Sequence, residues 1–214
     1  MNEYRKNLYD SWRENNEDDP AKAVGWRNQE ALDARFNCTL KHLSHKEFEG
    51  LRILDVGCGA SLNFLRYLPT HEVDFFYTGI DCNEESLKYA SERWNIPYNE
   101  KVVSQDELQL IKDEYLNKVG QDFGFDIILS QGIYQEFDSI QSIKEHVSKL
   151  SSMLNPGGEL LIMTPSNRLL DAEGESVLKI SAYDAVSILE NTGLPYEIGL
   201  GELGEHLIMR VFRK

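Results

Sequence analysis

The stretch LRILDVGCGAS, residues 51–61, decides how the rest of the chain is read. Arg52 to Val56 has the length and apolar character of a short buried strand, and it runs straight into Gly57 and Gly59. Glycines at that point let the backbone turn sharply and leave no Cβ in the path of a ligand. The run Ser61 to Leu68 then reads as a helix, whose first N–H groups have no partner within the helix. Strand, glycine turn and helix in that order open an α/β sheet that binds ligands at the carboxyl ends of its strands. A dinucleotide fingerprint of the form GxGxxG needs glycine at position 62, where Leu62 stands, so a nicotinamide or flavin dinucleotide is disfavoured.

Working outward toward the C-terminus, Phe75 to Ile80 is a second strand and ends on Asp81, 22 positions after Gly59. An acid at the end of a second strand is placed to accept from both hydroxyls of a ribose. The competing role, capping the helix Asn83 to Arg93, is filled as well by Asn83. Lys101 to Val103 is a short strand, and Leu108, Ile111, Tyr115 and Val119 recur at helical spacing. Phe125 to Ser130 is a buried-strand run, and Ile140 to Leu154 is helical up to the stop signal Asn155-Pro156-Gly157-Gly158. Glu159 to Thr164 is a strand, Ser181 to Asn191 a helix ended by Gly193. Tyr196 to Leu200 and His206 to Phe212 are strands joined by only five residues, which permits an antiparallel hairpin and no parallel return. The alternation predicts a doubly wound α/β fold: a seven-stranded, mostly parallel sheet with an antiparallel C-terminal hairpin strand and helices on both faces.

Toward the N-terminus the pattern is helical. Tyr4, Leu8 and Trp12 share one face, Asp19-Pro20 supplies a cap and a first-turn proline, and Leu32, Phe36, Leu40 and Leu43 form a second stripe. Residues 1–50 are therefore expected to be a helical leader or lid packed on a domain of residues 51–214.

The charge balance, 36 acidic against 22 basic residues for a net charge of -14, sets the average field against phosphate backbones and anionic membranes. The three cysteines, Cys38, Cys58 and Cys82, are odd in number and lack CxxC spacing, so neither a disulfide framework nor a metal site is expected. No run approaches the roughly 20 apolar residues of a membrane helix, and the polar N-terminus lacks a signal-peptide core, giving a cytoplasmic expectation.

DVGCGAS, the strand ending on Asp81, FDIILSQGIYQEF and LNPGGELLIMTP stand in the order and spacing of class I S-adenosylmethionine-dependent methyltransferases. The chain resembles that Rossmann-like family from about Leu51 to Lys214, and AVGWRNQEALDARF, residues 23–36, is similar to the leader of its small bacterial members. The resemblance implies S-adenosylmethionine as cofactor, S-adenosylhomocysteine as product, and no metal. It implies that Asp55, Gly57, Cys58 and Gly59 surround the methionine part, with Asp55 near the ammonium, and that Asp81 holds the ribose. Cys82 would pack beside the adenine, and Asp106 or the competing Glu107 would accept from its amino group. Ser130 and Gln131 would line the sulfonium end. Arg35 is the leader residue expected to reach the cofactor carboxylate, the alternative being a solvated helix charge. Ser61 stands in place of the family's third glycine, which leaves the start of the helix in question.

Methyl transfer is an in-line displacement that depends mainly on alignment, and a general base is needed only when the acceptor carries a proton that must leave early. Tyr134 and Glu136 are candidates to face the acceptor, as wall residues before bases. The [DNS]PP[YFW] tetrapeptide is absent after the fourth strand, where SQGI stands; with the acidic charge this favours a small-molecule acceptor, leaves protein open and disfavours nucleic acid. Two other readings stand beside it: a non-catalytic S-adenosylmethionine-binding regulatory protein, and an NAD-dependent oxidoreductase.

Overall fold

The structure is a computed structural model and describes residues 11, 14–15, 29–43, 46–59, 75–81, 100–104, 124–134, 137, 139–165, 180–201 and 206–214. The helices expected over 61–68, 83–93 and 108–119 lie outside the described residues, as do Ser61, residues 166–174 and, apart from Ser11, the helix expected over 4–12. The chain divides into two compact units, Met1–Lys118 and Val119–Lys214.

In the first unit, helix α1 (Gln29–Leu43) precedes strands β1 (Arg52–Val56), β2 (Phe76–Asp81) and β3 (Glu100–Ser104). Leu32, Phe36 and Leu43 of the apolar stripe are buried, together with Thr39 and Arg35. The three strands run parallel in the order β3-β2-β1. Asp55 lies opposite Gly79, Ile53 opposite Tyr77, and Asp81 opposite Ser104. Ile53, Leu54, Asp55 and Val56 are buried in succession, the mark of a strand covered on both faces.

The second unit contains β4 (Phe125–Gln131), α2 (Ile140–Ser152), β5 (Leu154–Pro165), α3 (Ala182–Glu190), β6 (Tyr196–Leu200) and β7 (His206–Phe212). Its strand order is β4-β5-β7-β6, with β4 and β5 parallel and β7 antiparallel to both β5 and β6. The hairpin read from the five-residue connection is present. Helix α2 begins at Ser139, whose hydroxyl accepts from the Ser142 N–H, and buries Ile143, Val147 and Leu150. Helix α3 begins with a reciprocal box: Ser181 accepts from the Asp184 N–H and Asp184 from the Ser181 N–H.

One boundary differs from the sequence reading. The helix expected to run to Leu154 ends at Ser152 with Met153 as its cap, before Asn155-Pro156-Gly157-Gly158 is reached, and those four residues are woven into β5, which begins at Leu154 rather than Glu159. Leu154 faces Phe125 and Glu159 faces Ile127, so the intervening residues bulge out of the ladder. Gly157 takes a φ of 79°, and a Cβ on Gly158 would sit 2.8 Å from the carbonyl oxygens of Asn155 and Phe125. The bulge is tied down by Gly157 N–H to Arg213 O at 2.6 Å and Arg213 N–H to Gly158 O at 3.0 Å. Distant pairing, invisible in the local pattern, turns a stop signal into part of a strand.

Candidate functional site

The glycine turn after β1 is stitched to the end of β2. Gly57 and Gly59 both have positive φ, 79° and 67°. The N–H groups of Gly57 and Cys58 donate to the Ile80 carbonyl at 2.8 and 3.1 Å, and the Gly59 N–H donates to Asp81 Oδ2 at 3.1 Å. Three successive donors thus fold the turn over β2 and fix the Asp81 carboxylate at Gly59. Gly79 makes the approach possible. A Cβ there would lie 2.9 Å from Cys58 Sγ and 3.2 Å from Tyr77 Cε1, so Cys58 seats where β2 has no side chain.

Two buried charges stand beside this turn. Asp55, two residues before Gly57, is buried, and its Oδ2 accepts from the Tyr77 hydroxyl at 2.7 Å. Burial pushes its carboxyl up to about 6; the Tyr77 hydrogen bond resists that, the Asp81 charge adds to it, and the Arg35 charge opposes it. Arg35 comes from α1 and is 4% exposed. Burial pulls its guanidinium down to about 9, and the Asp55 charge pulls the other way. Burial, then the charges of Asp55 and Asp81, push the Cys58 thiol well above its ordinary value. Cys58 therefore stays protonated and serves packing rather than nucleophilic chemistry.

In the second unit the end of β4 carries Ser130, fully buried, and Gln131, half-buried. Tyr134 donates its hydroxyl to Ser130 Oγ at 2.8 Å and is itself fully buried. Its ring stacks on Phe137 at 5.7 Å and meets His146 of α2 edge-on at 6.0 Å. Burial drives the Tyr134 phenol far above its ordinary value, so it is a neutral donor throughout the physiological range.

The profile of a family described as a methyltransferase domain matches residues 47–193, more than half of the chain. The chain belongs to that methyltransferase-domain family. It is 28% identical over 134 residues to a ubiquinone biosynthesis O-methyltransferase of Agrobacterium fabrum, covering 63% of this chain and 48% of that protein. The chain spans about half the length of the curated relatives it matches. Among solved structures, magnesium protoporphyrin IX methyltransferase from Synechocystis PCC 6803 with bound S-adenosylhomocysteine superposes with a TM-score of 0.66 at 15% identity, covering 97% of this chain and 95% of that one. A TehB-like S-adenosylmethionine-dependent methyltransferase from Corynebacterium glutamicum gives 0.61 at 20% identity over the whole of both chains. These likenesses establish an α/β methyltransferase fold with a mostly parallel, mixed sheet.

Within this methyltransferase domain, the residues singled out from sequence divide into three groups. Arg35, Asp55, Gly57, Cys58, Gly59 and Asp81 are linked in the first unit by the hydrogen bonds and charge interactions above. Arg35 is not a solvated helix charge: it is buried. Ser130 and Gln131 lie where expected, at the end of β4. Tyr134 is closed off from solvent with its hydroxyl given to Ser130, so it does not stand at an open rim. Cys82, Asp106, Glu107 and Glu136 lie outside the described residues. Tyr77 was missed: the strand pattern shows only an apolar position, and its signal is a hydroxyl two residues before Gly79, on the face β2 shares with Asp55.

Proposed function

We propose that this methyltransferase domain binds S-adenosylmethionine and transfers its methyl group to a small-molecule acceptor. The observation that carries the reading is the pair Asp55 and Arg35, two opposite charges buried in one unit beside a glycine turn that ends on Asp81. Each is held away from its ordinary ionisation by desolvation, so each gains from a ligand group of opposite charge. An α-amino acid end brings an ammonium to Asp55 and a carboxylate to Arg35, and ribose hydroxyls find an acceptor in Asp81. The positive-φ turn at Gly57 and Gly59 fits a ligand that approaches the backbone closely. These residues therefore fit the cofactor in its charges and in its need for close backbone approach.

When bound, S-adenosylmethionine supplies a methyl carbon activated by a positive sulfur. The chain's own work is alignment and exclusion of water, which together offset roughly 7 to 11 kcal/mol of the barrier. In this reading Gly57, Cys58 and Gly59 surround the methionine part, and Ser130 and Gln131 line its sulfonium end. Cys82 packs on the adenine, and Asp106 or Glu107 accepts from its amino group. No metal is called for, and a base is needed only where the acceptor carries a proton that must leave early; Glu136 is then a candidate for a wall residue before a base. We take residues 1–50 as a helical leader, residues 51–214 as the catalytic domain, and the cytoplasm as its place of work.

The acceptor class rests on the acidic net charge, the absent [DNS]PP[YFW] tetrapeptide and the small molecules named for the Agrobacterium and Synechocystis proteins. Incubation with tritium-methyl S-adenosylmethionine and a small-molecule extract tests it. Label in the small-molecule fraction is expected. Label confined to protein would move the acceptor to a polypeptide, and binding without any transfer would make the chain a cofactor-binding regulator.

A further inference from the structure

We propose that Tyr77 is a positioning residue for ligand binding: its hydroxyl anchors Asp55 Oδ2 and so keeps the carboxylate ionised and aimed to receive a cationic ammonium. The inference rests on the cofactor reading above and assigns a role to a residue that neither the motifs nor the family comparison singles out.

The geometry is specific. Tyr77 and Asp55 sit on adjacent parallel strands, and Ile53 rather than Asp55 is the direct partner of Tyr77. Asp55 pairs instead with Gly79, two residues further along β2 and on the same face as Tyr77. Gly79 has no side chain, so the Tyr77 ring runs along that face until its hydroxyl reaches Asp55 at 2.7 Å. The Tyr77 ring is 1% exposed, and a buried phenol of this kind ordinarily finds a partner for its hydroxyl. The bond occupies Oδ2 and restricts how the carboxylate turns.

The charge setting says why an anchor is needed. Among the described residues, the titratable groups acting on Asp55 are Tyr77 and Asp81 from β2 and Arg35 from α1, while Asp55 itself acts on Cys58 of the glycine turn. Desolvation and Asp81 favour the protonated acid, while Tyr77 and Arg35 favour the carboxylate. Asp55 is held at about 6, close enough to neutrality that one lost hydrogen bond matters. A donor to the charged form lowers an acid's pKa, so removing Tyr77's hydroxyl raises it. A lone charged hydrogen bond corresponds to about one pH unit or more. Near pH 6.5 the Tyr77→Phe protein then carries Asp55 largely protonated and unable to take an ammonium. Above about pH 8.5 the two proteins converge.

The test has two readouts, neither of them turnover. Carboxyl-carbon NMR follows the Asp55 titration in the ligand-free protein and in Tyr77→Phe, and calorimetry follows S-adenosylhomocysteine binding between pH 5.5 and 8.5. The expected result is an Asp55 midpoint raised by about one pH unit in Tyr77→Phe. Affinity should be weakened about threefold at pH 6.5, about eightfold at pH 5.5 and by less than about twofold at pH 8.5, because the deficit follows the protonated fraction. In an Asp55→Asn background the Tyr77→Phe change should add nothing, since the two act through one bond. An unmoved Asp55 midpoint, or binding curves that fall in parallel at every pH, would make Tyr77 a packing residue and overturn the proposal. Absence of S-adenosylhomocysteine binding by the wild-type chain at every pH would overturn the cofactor reading, and the binding role of Tyr77 with it. The NMR midpoint separates that failure from the first.

Discussion

Asp55 and His146 bend the stability of this protein in opposite directions over the same range of pH. Asp55 has a folded value of about 6, above its ordinary 3.8, so the stability it contributes is fully present below 3.8 and is lost as pH rises through 6. His146 on α2 is pulled down to about 4 by burial and by Lys149, and its Nε2 has no hydrogen-bond partner among the described residues. Its folded value lies below the ordinary 6.5, so the unfolded chain binds the proton more readily. Stability is then lost as pH falls from about 6.5 to about 4. Phenylalanine keeps the ring contacts with Tyr134 and Phe137 and removes the proton site. On going from pH 7 to pH 4.5, His146→Phe should gain about 2 kcal/mol relative to wild type. Urea denaturation at the two pH values checks it; a gap that does not change with pH would show that His146 titrates as it would in water.

At the scale of elements, the β5–β7 pair is held by more than its ladder. Glu159, 1% exposed, lies 2.6 Å from the Arg210 guanidinium, which also reaches Glu197 at 2.9 Å. The two carboxylates differ in environment, since Glu197 is 63% exposed. Arg210→Met strips a buried carboxylate of this cation and should cost about 3 kcal/mol, whereas Glu197→Gln should change stability by less than about 0.5 kcal/mol. Chemical denaturation of the two variants separates the cases, and equal effects would contradict the assignment of the buried pair. The same elements show what the sequence could and could not reveal. The apolar runs of β1, β4 and β7 were legible because strand burial leaves a continuous local signal, whereas β6, with no buried residue, was legible beside β7 through their short hairpin connection. The first five residues of β5 were not, because Asn155-Pro156-Gly157-Gly158 reads as a turn until Phe125 and Arg213 are brought to it. At the site, Gly57, Gly59 and Asp81 were legible because the turn requires positive φ and an acid at the strand end. Tyr77 was hidden, since only the register of β1 against β2 puts its hydroxyl on Asp55. Arg35 was half legible: the helix was clear, but which side of it is buried depends on what it packs against.

For the molecule as a whole, the family assignment, the fold and the first-unit charges point the same way. A chain of net charge -14 repels polyanions on average, yet it buries Arg35 within the field of the buried Asp55, which in the proposed reading suits a ligand carrying both signs of charge. Among the described residues no helix is long and apolar enough to cross a membrane. We propose that this arrangement binds an adenosyl sulfur compound, which calorimetric titration with S-adenosylmethionine, S-adenosylhomocysteine and NAD decides. Binding in the micromolar range by both sulfur compounds is expected, weakened at least tenfold in Asp81→Ala, with no heat from NAD. Failure of both sulfur compounds to bind, or tighter binding of NAD, would contradict the account.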